Sequence, residues 1–192
     1  MAKKRDMTEG KIALPLAAFT LPLVLGNLFQ LTYNAADSVI VGQYVGEGAL
    51  AAVGTSAPLM NIALLLISGL CMGAGILMSA QYGSRDYELL SRQVSTTFLA
   101  GCGFSVTFSL ISILLAEPLL RLIQVPEEVI GEAGLYLRIV FLGILFTFIY
   151  NFLANTLRAL GDSRTPLYFL MASAVLNILG DLLLVVALGL GV

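Results

Sequence analysis

Two acidic residues, Asp37 and Asp181, stand inside apolar stretches of this sequence. Placing an aspartate at the centre of a membrane helix costs about 2.5 to 3.5 kcal/mol on the mildest insertion scale. An ionisable residue in such a segment therefore points by default to an ion or proton pathway. Asn177 precedes Asp181 by one helical turn, so both lie on one helix face. Their oxygens could hold a hard cation such as sodium, or a proton on the carboxylate.

Polar side chains also accumulate elsewhere in the apolar segments. They are Gln30, Tyr33 and Asn34, which precede Asp37, and Tyr150, Asn151 and Asn155 in a later segment. We expect them to face the same interior as the two acids, as cavity-lining candidates. Taken singly, Gln30, Asn34 and Asn151 are also explained by hydrogen bonds between helices, worth about 0.6 kcal/mol each on average.

The composition predicts an all-α polytopic membrane protein. Hydrophobic residues make up 58% and charged residues 11% of the chain, and its mean hydropathy is +0.94, whereas about 25% of residues are charged in soluble domains. The expected partner is a lipid bilayer, and the absence of a basic tract argues against nucleic acid. Without histidine, and with both cysteines in apolar stretches, zinc and haem sites have no support, so no cofactor is expected.

Turn residues divide the chain into five predicted transmembrane helices. A span needs about 20 apolar residues, and 192 residues accommodate about five. Residues 1–11 are the predicted N-terminal tail and 12–192 the membrane domain. A kink is expected near Leu14 to Leu21 because Pro15 and Pro22 remove backbone hydrogen bonds. The predicted helices lie near 14–43, 50–82, 93–121, 128–158 and 165–190.

The distribution of basic residues predicts the orientation. Short connections make neighbouring helices antiparallel, so eight basic residues lie on one side of the bundle and two, Arg121 and Arg138, on the other. By the positive-inside rule, the first side is cytoplasmic, which places the N-terminus in the cytoplasm and the protein in the cell membrane. The eight are Lys3, Lys4, Arg5, Lys11, Arg85, Arg92, Arg158 and Arg164.

Four segments carry a family resemblance: LPLVLG at 21–26, VG at 41–42, ALAAVG at 49–54 and, most specifically, NTLRALGDSRTP at 155–166. With Asp37, Asn177 and Asp181, they resemble the multidrug and toxic compound extrusion (MATE) family. The resemblance implies an antiporter that exports organic, often cationic, compounds while sodium ions or protons flow inward. It also implies a cation site of the N-terminal lobe formed by Asp37, Asn155, Asn177 and Asp181, with Asp37, Asn177 and Asp181 as sodium ligands.

The resemblance implies two six-helix lobes, of which this chain supplies five helices of the first. The second lobe is missing, so we expect either a fragment of a longer protein or assembly with another chain. A flippase for lipid-linked oligosaccharides, from the same superfamily, is the closest alternative. The cavity of such a flippase often carries basic residues that hold a pyrophosphate. The spans of this chain carry acids and amides instead, which favours a cationic cargo. A non-transporting membrane fragment is the third interpretation.

An enzyme is not expected. An intramembrane aspartyl protease could use two membrane aspartates. The presenilin-type pattern, however, requires Tyr-Asp on one helix and Gly-x-Gly-Asp on the other. Asp37 follows Ala36, and Asp181 follows Ile178-Leu179-Gly180, so both motifs are absent.

Overall fold

The computed structural model of this protein describes residues 13–44, 47–181 and 183–184, and that part of the chain is helical without a β-strand. A helix satisfies its backbone hydrogen bonds internally, as a segment in lipid must. Six helices result: α1 (Ala13–Tyr44), α2 (Glu47–Gly83), α3 (Tyr87–Leu122), α4 (Glu127–Leu142), α5 (Ile144–Ala159) and α6 (Arg164–Asp181). The predicted all-helical class is confirmed, whereas the predicted N-terminal tail lies outside the described residues.

Three helices are individually long and apolar enough to cross a membrane. They are α1, α2 and α3, with 32, 37 and 36 residues. At 1.5 Å per residue they are about 48 to 55 Å long, beyond the ~30 Å hydrocarbon core, so they tilt or protrude. The pair α4 and α5 is a fourth such span if taken together. The part of α6 described, Arg164–Asp181, is not among them, and the remainder of the fifth predicted helix lies beyond the described residues.

The turns lie at the glycine, proline and polar residues where the sequence predicts them. Asp86 begins α3 because its side-chain oxygen accepts a hydrogen bond from the Leu89 amide at 3.0 Å, which extends the helix six residues ahead of its predicted start. Gly161, between α5 and α6, has φ 84°, a left-handed conformation that glycine adopts without steric cost. Asp162 then begins α6 by accepting hydrogen bonds from the amides of Arg164 and Thr165, each at 3.0 Å.

The fourth predicted helix, 128–158, is wrong as a single element. It is broken at Gly143 into α4 and α5, whose axes differ by 45°. The hydroxyl of Ser109 on α3 donates to the carbonyl of Phe141, two residues before the break, at 2.6 Å. A carbonyl at a helix end needs such a partner because the next turn does not supply one. By contrast, α1 is one continuous helix through Pro22, and the kink predicted near Leu14 to Leu21 stays a prediction.

The buried core lies among α2, α3, α4 and α5. Its largest fully buried side chains include Ile67 and Met78 on α2, Leu120 on α3, Leu137 on α4 and Phe148 on α5. Outward-facing side chains are equally apolar: Leu99 and Leu114 on α3 are 72% and 77% exposed. Large apolar side chains exposed along whole helices fit a surface that faces lipid.

The helices α1 and α6 form a second packing unit. Each packs chiefly on the other, and in the described part of the chain α1 makes no close backbone contact with α5. A Cβ at Gly26 would lie 3.5 Å from Leu170 and 3.6 Å from Leu167, an ordinary contact distance, so only a side chain larger than alanine would hold α1 away from α6. Small residues permit such approach in membranes.

The two outer arginines belong to an ion-pair group at the turn between α3 and α4. Arg121 pairs with Glu117 at 3.1 Å and with Glu127 at 2.5 Å, and Arg138 lies 3.6 Å from Glu117. These side chains are about half exposed or more, so solvent screens the pairs and each contributes little to stability. The group joins the end of α3 to α4 at the face opposite Arg85, Arg158 and Arg164.

Replacement of Gly101 by alanine tests the contact between α3 and α5. A methyl group there would overlap the ring of buried Phe148, whereas one at Gly103 would meet no atom within 4 Å. We expect Gly101→Ala to destabilise the fold by about 1 to 3 kcal/mol, the usual cost of overpacking. Thermal unfolding in detergent, followed by labelling of buried Cys71 with a thiol dye in a Cys102→Ser background, measures this. Gly103→Ala is the matched control, and equal unfolding temperatures for the two variants would contradict the contact.

Candidate functional site

A cavity of about 800 Å³ separates the α1–α6 pair from α2 and α5. On α1 its lining recurs every three or four residues, from Leu23 through Asn27 and Gln30 to Tyr33. The same spacing runs from Ser163, in the turn directly before α6, through Pro166 and Leu170 to Ser173 on α6. Positions three or four apart share one helix face, so each helix presents one continuous face to the cavity. We name these two faces the α1 stripe and the α6 stripe.

The structure brings four of the predicted cavity-lining residues together. Gln30 and Tyr33 lie on the α1 stripe, and Tyr150 and Asn151 face them from α5. Asn34 is exposed and is not among the lining residues of this cavity, so its predicted role stays a prediction. It follows Gln30 by four residues and therefore continues the α1 stripe one turn further along the helix.

Several lining residues were missed by the sequence reasoning. Asn27 could have been found, because it precedes Gln30 by three residues and therefore belongs to the same face. The hydroxyl residues were harder to find, since serine and threonine occur throughout membrane helices and often bond only to their own backbone. Thr147 does so, donating to the carbonyl of Gly143 at 3.3 Å. The hydroxyl residues that line the cavity are Ser68, Thr147, Ser163 and Ser173.

Two asparagines of α5 are oriented by their own helix. The Asn151 side-chain amide donates to the carbonyl of Thr147, and that of Asn155 donates to the carbonyl of Asn151, both at 2.9 Å. Their side-chain oxygens remain available as acceptors. Asn155 does not line the cavity; it lies against α2, where a side chain at Gly75 would begin 3.6 Å from its Cβ and 3.9 Å from its Oδ1.

Arg158 also lines the cavity, at the end where α5 turns into α6. Sequence reasoning considered acids and amides in the spans, and the structure adds this cation to the cavity wall. Its Nε is buried and has no hydrogen-bond partner among the described residues, a condition that costs about 1 to 3 kcal/mol for a buried polar group. No acidic residue is among the lining residues of the described part. The sequence predicted only that Arg158 lies at the cytoplasmic end of a helix. It did not predict that the side chain lines the cavity.

The helix positions of the two predicted acids continue the two stripes. Asp37 follows Tyr33 by four residues on α1, and Asp181 follows Asn177 and Ser173 by four and eight residues on α6. The side chains of Asp37 and Asp181 lie outside what the structure describes, and Asn177 is exposed. In the described residues no group of three or more acidic or cysteine side chains could hold a metal ion.

The contact at Gly26 relates the depths of the two acids. Because α2, α3 and the α4–α5 pair each reverse the chain direction, α1 and α6 are parallel. Gly26 lies opposite Leu167 and Leu170, so eleven residues further along both helices, about 16 Å, the backbone of Asp37 comes level with residues 178–181. The packing of α1 on α6 therefore brings the backbone positions of the two acids to a similar depth.

Comparison with known proteins supports the family. The MatE family model matches residues 22–183. Over 175 residues, the chain is 38% identical to a probable multidrug resistance protein, YpnP, of Bacillus subtilis, covering 91% of this chain and 39% of that protein. Over 174 residues it is 24% identical to the multidrug export protein MepA of Staphylococcus saprophyticus, again covering 91% of this chain and 39% of that protein.

A solved structure matches the fold. The crystal structure of a MATE transporter in complex with MaD3S superposes with a TM-score of 0.91 at 24% identity, over 100% of this chain and 43% of that one. The chain therefore spans about two fifths of the length of the relatives it matches. Members of this family are transporters and not enzymes, as expected from the sequence. Because the family model covers most of the chain, this protein belongs to the MatE family of MATE transporters.

Proposed function

We propose that this chain is part of the N-terminal lobe of a cation-coupled antiporter that exports organic, cationic compounds. The observation that carries the proposal is the continuation of each cavity stripe into an acidic position, Asp37 on α1 and Asp181 on α6. One pair of helices then contributes both to the cargo cavity and to an ion site. The names of its relatives, a probable multidrug resistance protein and a multidrug export protein, support drug efflux as the activity.

The proposed coupling site consists of Asp37, Asn155, Asn177 and Asp181. Two carboxylates brought level on packed helices repel each other when both are charged, so binding a sodium ion or a proton between them lowers that cost. The amides add neutral oxygens, which suit a hard cation and also accept a hydrogen bond from a protonated carboxyl group. The same donor set serves sodium and proton coupling, and it requires no other cofactor.

Coupling follows if the ion changes how closely α1 approaches α6. Neutralising the acids favours tighter packing at their level, and the same two helices carry the cavity stripes below. Ion binding and cargo binding then act on one structural unit, as linkage between two sites requires. Alternating access also needs a second lobe to move against the first. We propose that a second lobe, on the same polypeptide or on another chain, completes the transporter.

We propose a cytoplasmic N-terminus and a location in the cell membrane. The connections place Arg85, Arg158 and Arg164 at one end of the bundle, and Arg121 and Arg138 at the other. The sequence predicts eight basic residues at the first end against two at the second. The first end is then cytoplasmic by the positive-inside rule, which counts basic residues and not net charge.

A flippase for lipid-linked oligosaccharides is the second candidate, because Arg158 lines the cavity. A pyrophosphate group carries several negative charges and binds best to several positive groups. The described lining supplies one arginine, so drug efflux remains the better supported function. Transport assays on proteoliposomes separate the two: drug efflux predicts ion-driven export of organic compounds, whereas a flippase predicts movement of a labelled lipid-linked oligosaccharide between leaflets.

Neutralisation of the two acids tests the coupling site. We expect Asp37→Asn and Asp181→Asn, each in the full-length protein, to abolish ion-driven export while the protein still inserts, because an amide cannot carry the exchangeable charge. Fluorescent-substrate export from proteoliposomes under a sodium or a proton gradient measures this. Glu128→Gln, an exposed acid at the start of α4, is the matched control and should export normally. Unchanged export in both aspartate variants would show that the acids are structural.

Enlargement of Gly75 tests whether Asn155 belongs to the coupling site. Alanine fits at this position, since its Cβ would lie 3.6 Å from Asn155, an ordinary contact distance. A leucine extends further and should displace Asn155 from α2, so we expect Gly75→Leu to reduce ion-driven export about tenfold or more, an effect of about 1.4 kcal/mol or above. Gly73→Leu is the control, because no atom lies within 4 Å of a Cβ there. Equal export by the two leucine variants would remove Asn155 from the site.

A further inference from the structure

The cavity contains a positive charge that the coupling mechanism does not use. Arg158 lines it from the end of α5, and its Nε is buried without a hydrogen-bond partner in the described part of the chain. In the same part, no carboxylate lies within ion-pair distance of it. A guanidinium carries five N–H donors in a rigid fork and accepts no hydrogen bond, so only an acceptor can satisfy this nitrogen.

The surroundings of Arg158 suit an amphipathic molecule with an anionic group. Buried Ser163 lies in the same wall and can donate from its hydroxyl, and Tyr150 lies within electrostatic range of both Arg158 and Tyr33. Phe146, also in the lining, adds an aromatic surface on α5. Cavities that combine apolar and aromatic walls with a few polar groups are typical of small-molecule sites.

We propose that Arg158 binds an oxyanion, a carboxylate or a phosphate, on the organic molecule that occupies this cavity. The planar guanidinium pairs with either group through two parallel hydrogen bonds, which fixes the orientation of the ligand as well as its position. The aromatic or apolar body then lies along α5 towards Tyr150 and Phe146. This inference rests on the proposed function, because it takes the cavity to be the cargo site. It narrows the cargo to molecules with an oxyanion at one end. A cationic group at the far end of the same molecule is compatible with it.

A purely structural role for Arg158 makes a different prediction. A basic residue in the last turn of α5 interacts favourably with the carbonyl end of that helix and can also extend towards lipid headgroups. Either role requires only positive charge and predicts no preference among neutral and anionic ligands in the cavity. The presence or absence of such a preference therefore separates the two roles.

Binding of an acid and its ester to the full-length protein tests the proposal. Naphthoxyacetate and its methyl ester share one aromatic body and differ in the carboxylate. Their affinities are measured by calorimetry in nanodiscs of neutral phosphatidylcholine, without an ion gradient. We expect the wild-type protein to prefer the acid and Arg158→Gln to lose about tenfold or more in acid affinity with ester affinity unchanged, as loss of a charge-assisted hydrogen bond implies. Arg164→Gln is the matched control, since Arg164 is exposed and does not line the cavity.

Equal wild-type affinities for acid and ester would overturn the proposal, and this comparison needs no variant. An acid preference that survives in Arg158→Gln, or is lost equally in Arg164→Gln, would also overturn it. Replacing part of the phosphatidylcholine by phosphatidylglycerol identifies the source of the oxyanion. If a lipid phosphate occupies the site, phosphatidylglycerol lowers the acid affinity of the wild type and not that of Arg158→Gln. If cargo occupies the site, phosphatidylglycerol changes the acid affinity of the two proteins equally. Binding without a gradient does not depend on export, so failure of antiport and failure of this site remain distinguishable.

Discussion

The packing of α1 on α6 at Gly26 is the constraint on which the rest of the site depends. Because glycine carries no side chain there, Leu167 and Leu170 reach the α1 backbone and set the register of the two parallel helices. That register determines which residues of α6 stand level with Asp37, and it aligns the two stripes that line the cavity. A side chain larger than alanine at position 26 would push the two helices apart at this level, since a Cβ there already lies at ordinary contact distance from both leucines. The geometry of the proposed ion and cargo sites thus depends on the same contact.

Much of the fold could be predicted from the sequence because it depends on local chemistry. Apolar composition requires helices in lipid, and the turns at Gly83, Pro126 and Gly161 follow from residues that end or begin helices. The break at Gly143 could not be predicted in the same way. No proline lies near it, and the break is supported by a tertiary hydrogen bond from Ser109 to Phe141, 32 residues apart in sequence. Tertiary partners of this kind leave no trace in the local pattern of residues.

The candidate site shows the same division. Gln30, Tyr33, Tyr150 and Asn151 were recognised as polar residues in apolar helices, and they meet in one cavity. Asn34 has the same polarity and shares a helix face with Gln30, but it lies one turn further along, where it is exposed and outside the cavity lining. For Arg158, the sequence indicated a cation at a helix end, but only the packing of α5 beside α6 reveals that it lines the cavity. Residue type suggests a role, and the packing around each position decides whether that role is available.

The cavity lies between two separately packed units, the α1–α6 pair and the core built from α2 to α5. Backbone contacts of α1 with α2 and of α5 with α6 join the two units, but they are fewer than those between α1 and α6. A shift of one unit relative to the other would change the width of the cavity while disturbing only these contacts. In the proposed transporter, molecules of different thickness could then meet the same polar groups, so breadth of recognition would arise from the spacing of the walls and selectivity from the few groups attached to them.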